Sequence, residues 1–181
     1  MDQDIVYRID AKDRIVSIDP GWDEFAASNG APALRTAGVL GRPLWDFVSD
    51  ATTRLIYRGV LSRARAGARV SFPLRCDSAT VRRSLEITAG LDENGWVVFR
   101  SRTVGLDERA RPLPPHAGPG TDGSLRMCGW CKKVATPSGW REVEEAIEEL
   151  GLFGAPRLPL ASHGICEACA AMMSAQLEAA A

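Results

Sequence analysis

Apolar and polar positions alternate from the start of the chain. Residues 5–9 (IVYRI) and 15–18 (IVSI) are short β-branched runs around the turn DAKDR, and together they predict a hairpin. Asp19-Pro20 then starts a helix over GWDEFAASNG, with Asp as N-cap and Pro at the first helical position. Asn29-Gly30 supplies a left-handed stop. Between residues 31 and 50, Pro32, Gly38, Gly41 and Pro43 break any period, which predicts loops and one-turn helices. Helical spacing returns in ATTRLIYRGVLSRARAG, capped by Ser49 or Asp50 and ending at Gly67. Leu55, Ile56, Val60, Leu61 and Ala64 are expected on its one apolar face.

Three strand-like segments follow, at 69–75, 80–89 and 96–104, with Asp92, Asn94 and Gly95 turning the chain between the last two. The fold class is therefore α+β. A five-stranded antiparallel sheet with its helices on one face buries both kinds of element economically. In order and lengths, residues 1–104 resemble the PAS sensor domain. The resemblance rests on the opening DIVYRIDAKDRIVSIDPGWDEFAASNG and on LGRPLWDFV before the long helix. It implies a sensing or interaction module and nothing more specific.

Residues 105–126 are rich in Pro and Gly and nearly free of large apolar side chains, as expected of a linker. Residues 127–181 form the third segment. Helical periodicity shows in GWREVEEAIEELGLF through Val143, Ile147 and Leu150, and in CEACAAMMSAQLEAAA through Cys169, Met172, Met173 and Leu177. A small, mainly helical module is expected there.

Charge changes the picture little. The net charge is −1, with 45% apolar and 25% charged residues, so no field over the whole chain draws it to nucleic acid or anionic lipid. The N-terminal stretch lacks the basic and apolar regions of a signal peptide, and no apolar run approaches the ~18 residues that span a bilayer. A cytoplasmic setting is expected, where clustered thiols bind metal more often than they pair.

Cys128-Gly-Trp-Cys131 and Cys166-Glu-Ala-Cys169 are such clusters. Each C-x-x-C pair can bring two thiolates to one ion, about 2.3 Å from each sulfur, and two pairs complete a tetrahedron. Cys128, Cys131, Cys166 and Cys169 are thus the expected ligands of one structural zinc, with iron as the alternative. Cys166 and Cys169 open a helix, whose dipole and free N–H groups favour thiolates. His163, three residues before Cys166, is expected to hydrogen-bond or orient the site from outside the ligand set. Its replacing one cysteine is the other reading. A segment of about 55 residues buries too little apolar surface for comfortable stability alone, so the metal is expected to fold it. The run MCGWCKKVATPSGWREVEEAIEE with SHGICEACAAMM resembles a cysteine-rich segment found beside signalling modules in bacterial regulatory proteins. That resemblance implies metal binding and signal transduction, without a defined chemistry.

Other candidates carry less. Trp22, Phe25, Trp45, Phe47, Phe72 and Trp96 are either core or the lining of a small apolar ligand pocket. Residues 1–104 contain no histidine, which disfavours haem, and Cys76 lacks a flavin-adduct context; neither haem nor flavin is expected. Arg54, Arg58, Arg63, Arg65, Arg75, Arg82 and Arg83 form a solvated basic surface or, alternatively, an anion-binding one. The glutamates of 142–149 are expected on an exposed helical face. No catalytic constellation is visible, so binding rather than catalysis is expected, with a signalling partner protein or a second copy of the chain as partner. An acidic helix and 7 basic residues among 104–181 argue against nucleic acid. Oxidation of the thiols with release of the metal is a further alternative.

Overall fold

The computed structural model describes residues 4–48, 50–110, 112–113, 124–152 and 158–180. The N-terminal hairpin is β1 (Ile5–Ile9) and β2 (Ile15–Ile18). Helix α1 (Trp22–Ser28) follows, then a 3-10 turn at Pro32–Leu34, the single turn α2 (Thr36–Val39), and a 3-10 turn at Leu44–Asp46. The long helix α3 spans Ala51–Arg65. Strands β3 (Val70–Arg75), β4 (Val81–Leu91) and β5 (Val97–Glu108) complete an antiparallel sheet of order β2-β1-β5-β4-β3. Period-two burial sets its inner face: Val70 and Phe72, then Leu85, Ile87 and Ala89, then Val97 and Phe99 are buried and face the helices.

Several local expectations change. Asp19 does not cap α1 with its side chain. Gly21 holds the N-cap position, and the Asp19 carbonyl accepts the Trp22 N–H at 3.1 Å. Asp50 does cap α3, accepting from the Thr53 N–H at 2.8 Å, while Ser49 lies outside the described residues. Leu55 was expected on the buried face of α3 but is 69% exposed. Its position is one step from Ile56 around the helix, and the face that meets the sheet is carried by Ile56, Val60, Leu61 and Ala64. Strand β5 runs on to Glu108, so residues 105–108 are sheet rather than linker. The Arg109 and Leu113 N–H groups bond the Thr80 and Ala79 carbonyls. Residues 114–123 of the expected linker lie outside the described residues.

The C-terminal segment is less helical than its periodicity suggests. It contains β6 (Ser124–Cys128), β7 (Val134–Thr136), β8 (Gly139–Arg141) and β9 (Leu160–Gly164), in the sheet order β8-β7-β6-β9. Helices α4 (Val143–Glu149) and α5 (Glu167–Ala179) complete it. Gly139, at φ 113°, and Trp140 therefore belong to a strand ahead of α4. Strands of three residues are too short to leave a readable period, and β6 meets β9 in parallel from a distant part of the chain.

This segment shares its interior with the larger sheet. Cys128, Trp130, Ile165, Cys166, Met173 and Leu177 are buried in the same apolar cluster as Phe72, Phe99 and Val60. Trp130 sits between Phe72 and Tyr57, with ring centroids 5.9 and 5.7 Å away. The ring contacts continue from Tyr57 to Phe99 (6.2 Å), from Phe99 to Tyr7 (5.0 Å) and from Tyr7 to Trp22 (5.7 Å). At the edge of β3, the Arg75 N–H donates to the Trp130 carbonyl at 2.7 Å. Helix α5 runs beside α3 in the same direction. Gly164, just before α5, lies by Asp50 at the start of α3, and a Cβ on Gly59 would come 2.8 Å from Leu177 Cδ1.

Charges complete the junction. Arg75 reaches Glu142 at 2.8 Å and also Asp77, Arg82 reaches Glu144 at 2.7 Å, and Arg109 reaches Asp77 at 2.8 Å and also Glu144. The Arg109 side chain is 1% exposed. Arg54 bonds the Val48 and Trp45 carbonyls, Arg58 lies over the Trp45 ring, and Arg65 pairs with Asp13. Much of the supposed basic surface, and two glutamates of the supposed exposed acidic face, are thus partners within the fold.

Two outcomes follow from this packing. Arg109→Ala leaves the buried Asp77 carboxylate to Arg75 alone and Glu144 to Arg82 alone, and should lower stability by about 2 kcal/mol, read from the urea midpoint. An unchanged midpoint would mean that the network contributes nothing at the junction. The chain has two tyrosines, and burial pushes the Tyr57 phenol up to about 12 and raises that of Tyr7 well above its ordinary value. Both folded pKa values exceed the unfolded one, so this contribution to stability is whole below about pH 10 and declines as pH rises beyond it. Phenolate absorbance in the native protein should appear only above about pH 11. A transition near pH 10 would contradict the ring packing.

Candidate metal centre

The two cysteine pairs lie where adjacent parallel strands end. Cys128 is the last residue of β6 and stands opposite Gly164, the last residue of β9. Each strand then turns into its C-x-x-C pair. The first turn is closed by the Lys132 N–H donating to the Cys128 carbonyl at 3.0 Å and by the Cys128 N–H donating to the Lys133 carbonyl at 2.8 Å. That return requires Lys132 at φ 61°, in the left-handed region, and its ammonium reaches back to the Gly129 carbonyl at 2.9 Å. The second pair opens α5, with Cys166 as N-cap and its sulfur accepting from the Cys169 N–H at 3.4 Å. The Gly129 N–H donates to the Gly164 carbonyl at 2.7 Å and binds the two turns together.

The four thiol sulfurs of Cys128, Cys131, Cys166 and Cys169 all lie within 4.8 Å of one another, and no cysteine is in a disulfide. Four sulfurs about 2.3 Å from a central ion would be separated by about 3.8 Å along each tetrahedral edge. Cys131 and Cys166 are 3.8 Å apart. The cluster can therefore hold a metal ion with little movement. Cys128 and Cys166 are buried, while Cys131 and Cys169 are partly exposed.

Protons are shared unequally among these thiols. A hydrogen bond from the Cys131 thiol, supported by the N–H groups of Cys131, Cys166 and Trp130, pulls Cys128 down to about 4. The same bond, together with burial, pushes Cys131 up. Burial chiefly pushes Cys169 up to about 12. Cys128 is thus the thiol that ionises most readily, and a divalent cation would supply the positive charge that draws the remaining protons off.

The other expected residues are dispersed. His163 is exposed on β9, opposite Met127, and is not part of the clustered ligand set. Cys76 is half-buried beyond the end of β3, with its sulfur 4.0 Å from Asn29 Oδ1, and burial raises its pKa. Of the six aromatics offered as pocket lining, Phe72 is buried against Trp130. Trp22 donates to the Leu34 carbonyl, Phe25 lies under Arg83, and Trp45 donates to Asp13 at 2.8 Å. The Trp96 backbone closes the β4–β5 turn through Asp92. Among the six, Phe47 lines a cleft of about 240 Å³, together with Tyr57, Trp130 and His163. Sequence reasoning missed Tyr57 and Trp130 here. Trp130 lies inside the first C-x-x-C pair, which was the available signal. Among the described residues, no helix is long and apolar enough to cross a membrane.

No protein-family model matches the chain, and no curated protein matches it.

Cys131→Ser should leave purified protein with less than one bound metal ion per chain, measured by elemental analysis. Because thiolates are the ligands, metal retention should fall as pH is lowered. Full metal content in Cys131→Ser, or retention independent of acid, would remove this cluster as a metal site.

Proposed function

We propose that the chain is a signal-transduction protein of the cytoplasm, in which a PAS-like sensing half is joined to a structural zinc site. Its work is the binding of a small ligand or a partner protein, without catalysis, and its output passes through that partner or a second copy of the chain. The PAS-like reading draws support from the element order of hairpin, short helices, long helix and three strands, closed into one antiparallel sheet. Four thiols clustered at two turns support a tetrahedral structural zinc, with iron on the same ligands as the alternative.

One observation carries the reading: Trp130, held between two metal-site cysteines, is packed into the core of the sensing half. A change at the metal site therefore alters packing at Phe72 and Tyr57, and a ligand near those rings alters the turn that carries Cys128 and Cys131. Nucleic-acid binding is less well supported, since Arg54, Arg65, Arg75 and Arg82 are engaged within the fold. Partial exposure of Cys131 and Cys169 favours, as a second reading, oxidation of those thiols with metal release.

Elemental analysis with an absorption spectrum is expected to show one zinc per chain and no iron–thiolate band. Stripping the metal should increase hydrogen exchange at the Arg75 amide and along the Tyr57 turn of α3. Unchanged exchange at both, with the metal demonstrably gone, would break the proposed coupling. Peroxide that left metal content unchanged would end the redox reading.

A further inference from the structure

We propose that the cleft between the start of α3 and the two metal-site turns binds a small aromatic molecule bearing a hydrogen-bond donor. The inference rests on the binding function above and supplies the class and place of the ligand. The cleft measures about 240 Å³. A cavity of about 150 Å³ accepts benzene, so there is room for a fused ring or one ring with a substituent. Its walls come from separate parts of the chain: Phe47 and Tyr57 from around α3, Leu74 from β3, Trp130 from the first metal turn. Aromatic and aliphatic walls of this kind suit a flat apolar body.

Polarity at the rim selects the ligand further. Asp50 lines the cleft, and one of its carboxylate oxygens caps α3 through the Thr53 N–H at 2.8 Å. The other oxygen, Oδ2, is 3.9 Å from where a Cβ on Gly164 would stand, and Gly164 has no side chain to fill that space. The neighbouring Arg54 guanidinium is committed to the Trp45 and Val48 carbonyls. Arg126 approaches the same glycine, its Nε 3.6 Å from that Cβ position, and its guanidinium rests over Trp140 without lining the cleft. A carboxylate oxygen at the mouth of an aromatic cleft accepts a hydrogen bond, which calls for an N–H or O–H on the ring and disfavours a ring carboxylate. The ligand would also touch both metal turns, since Gly129 and Gly164 line the cleft and are bonded to each other at 2.7 Å.

Indole and benzofuran are the matched probes, nearly equal in shape, with only indole carrying a donor. Titrated into metal-loaded ¹⁵N-labelled full chain, indole should shift the Gly129, Trp130 and Gly164 signals saturably. It should bind about tenfold more tightly than benzofuran. Asp50→Asn keeps a good helix cap and should abolish that preference. Thr53→Phe, which fills the cleft from a half-exposed position, should abolish binding of both while metal content stays normal. The inference is overturned by absence of saturable shifts, by equal affinity of the two probes, or by binding that survives Thr53→Phe. Metal content and exchange at Arg75 are read in the same samples. Normal values there would leave the binding function of the preceding subsection standing while this site fell.

Discussion

Trp130 is fixed at both ends by different physics. Its backbone belongs to a tight turn whose flanking cysteines converge with Cys166 and Cys169, and its side chain belongs to an apolar interior made by β3, β5 and α3. A large ring buried against Phe72 and Tyr57 contributes on the order of several kcal/mol. That contribution is available only while the turn holds its shape. The reverse also holds: a turn anchored by Trp130 presents Cys128 and Cys131 already oriented toward the second pair. Binding of a metal ion by the four thiols would in this sense share one equilibrium with core packing, each raising the apparent affinity of the other.

This changes the argument from size. Considered alone, residues 127–181 are too few to be comfortable without a staple, and a metal would have to fold them. In the structure they are not alone. Met173 and Leu177 pack into the common core, Leu177 rests on Gly59, and Arg75, Arg82 and Arg109 pair with Glu142 and Glu144. An ion held by the four thiols would have a narrower task, which is to lock two turns that packing has already brought close.

Legibility of the sequence followed the range of the interactions. The hairpin, α3 and the strands β3 to β5 rest on local periods, and they were readable within a few residues. The four cysteines were readable because each pair is a local spacing. What escaped depended on distant chain: β6 pairing with β9, the three-residue strands β7 and β8, and the partners of the arginines. Leu55 shows the same limit on a helix, where composition marks a broad apolar arc but tertiary contact decides which edge of it is covered. The aromatics offered as core or pocket lining are dispersed for a related reason. Trp22, Phe25 and Trp45 each found a separate polar or cationic neighbour, whereas Tyr57 and Trp130 were brought to the cleft by the docking of the two sheets.

The parallel pairing of β6 with β9 has a consequence for how such a segment varies. Because the two strands are hydrogen-bonded to each other and end side by side at Cys128 and Gly164, the positions of the sulfurs depend little on the chain between them. Beyond the turn closed by Lys132 and Lys133, residues 134–152 carry β7, β8 and α4. Lengthening a surface loop among these elements adds only about 0.6 kcal/mol for each doubling. Insertions there can accumulate, and new surface can be tried, while the distance across the four thiols is preserved.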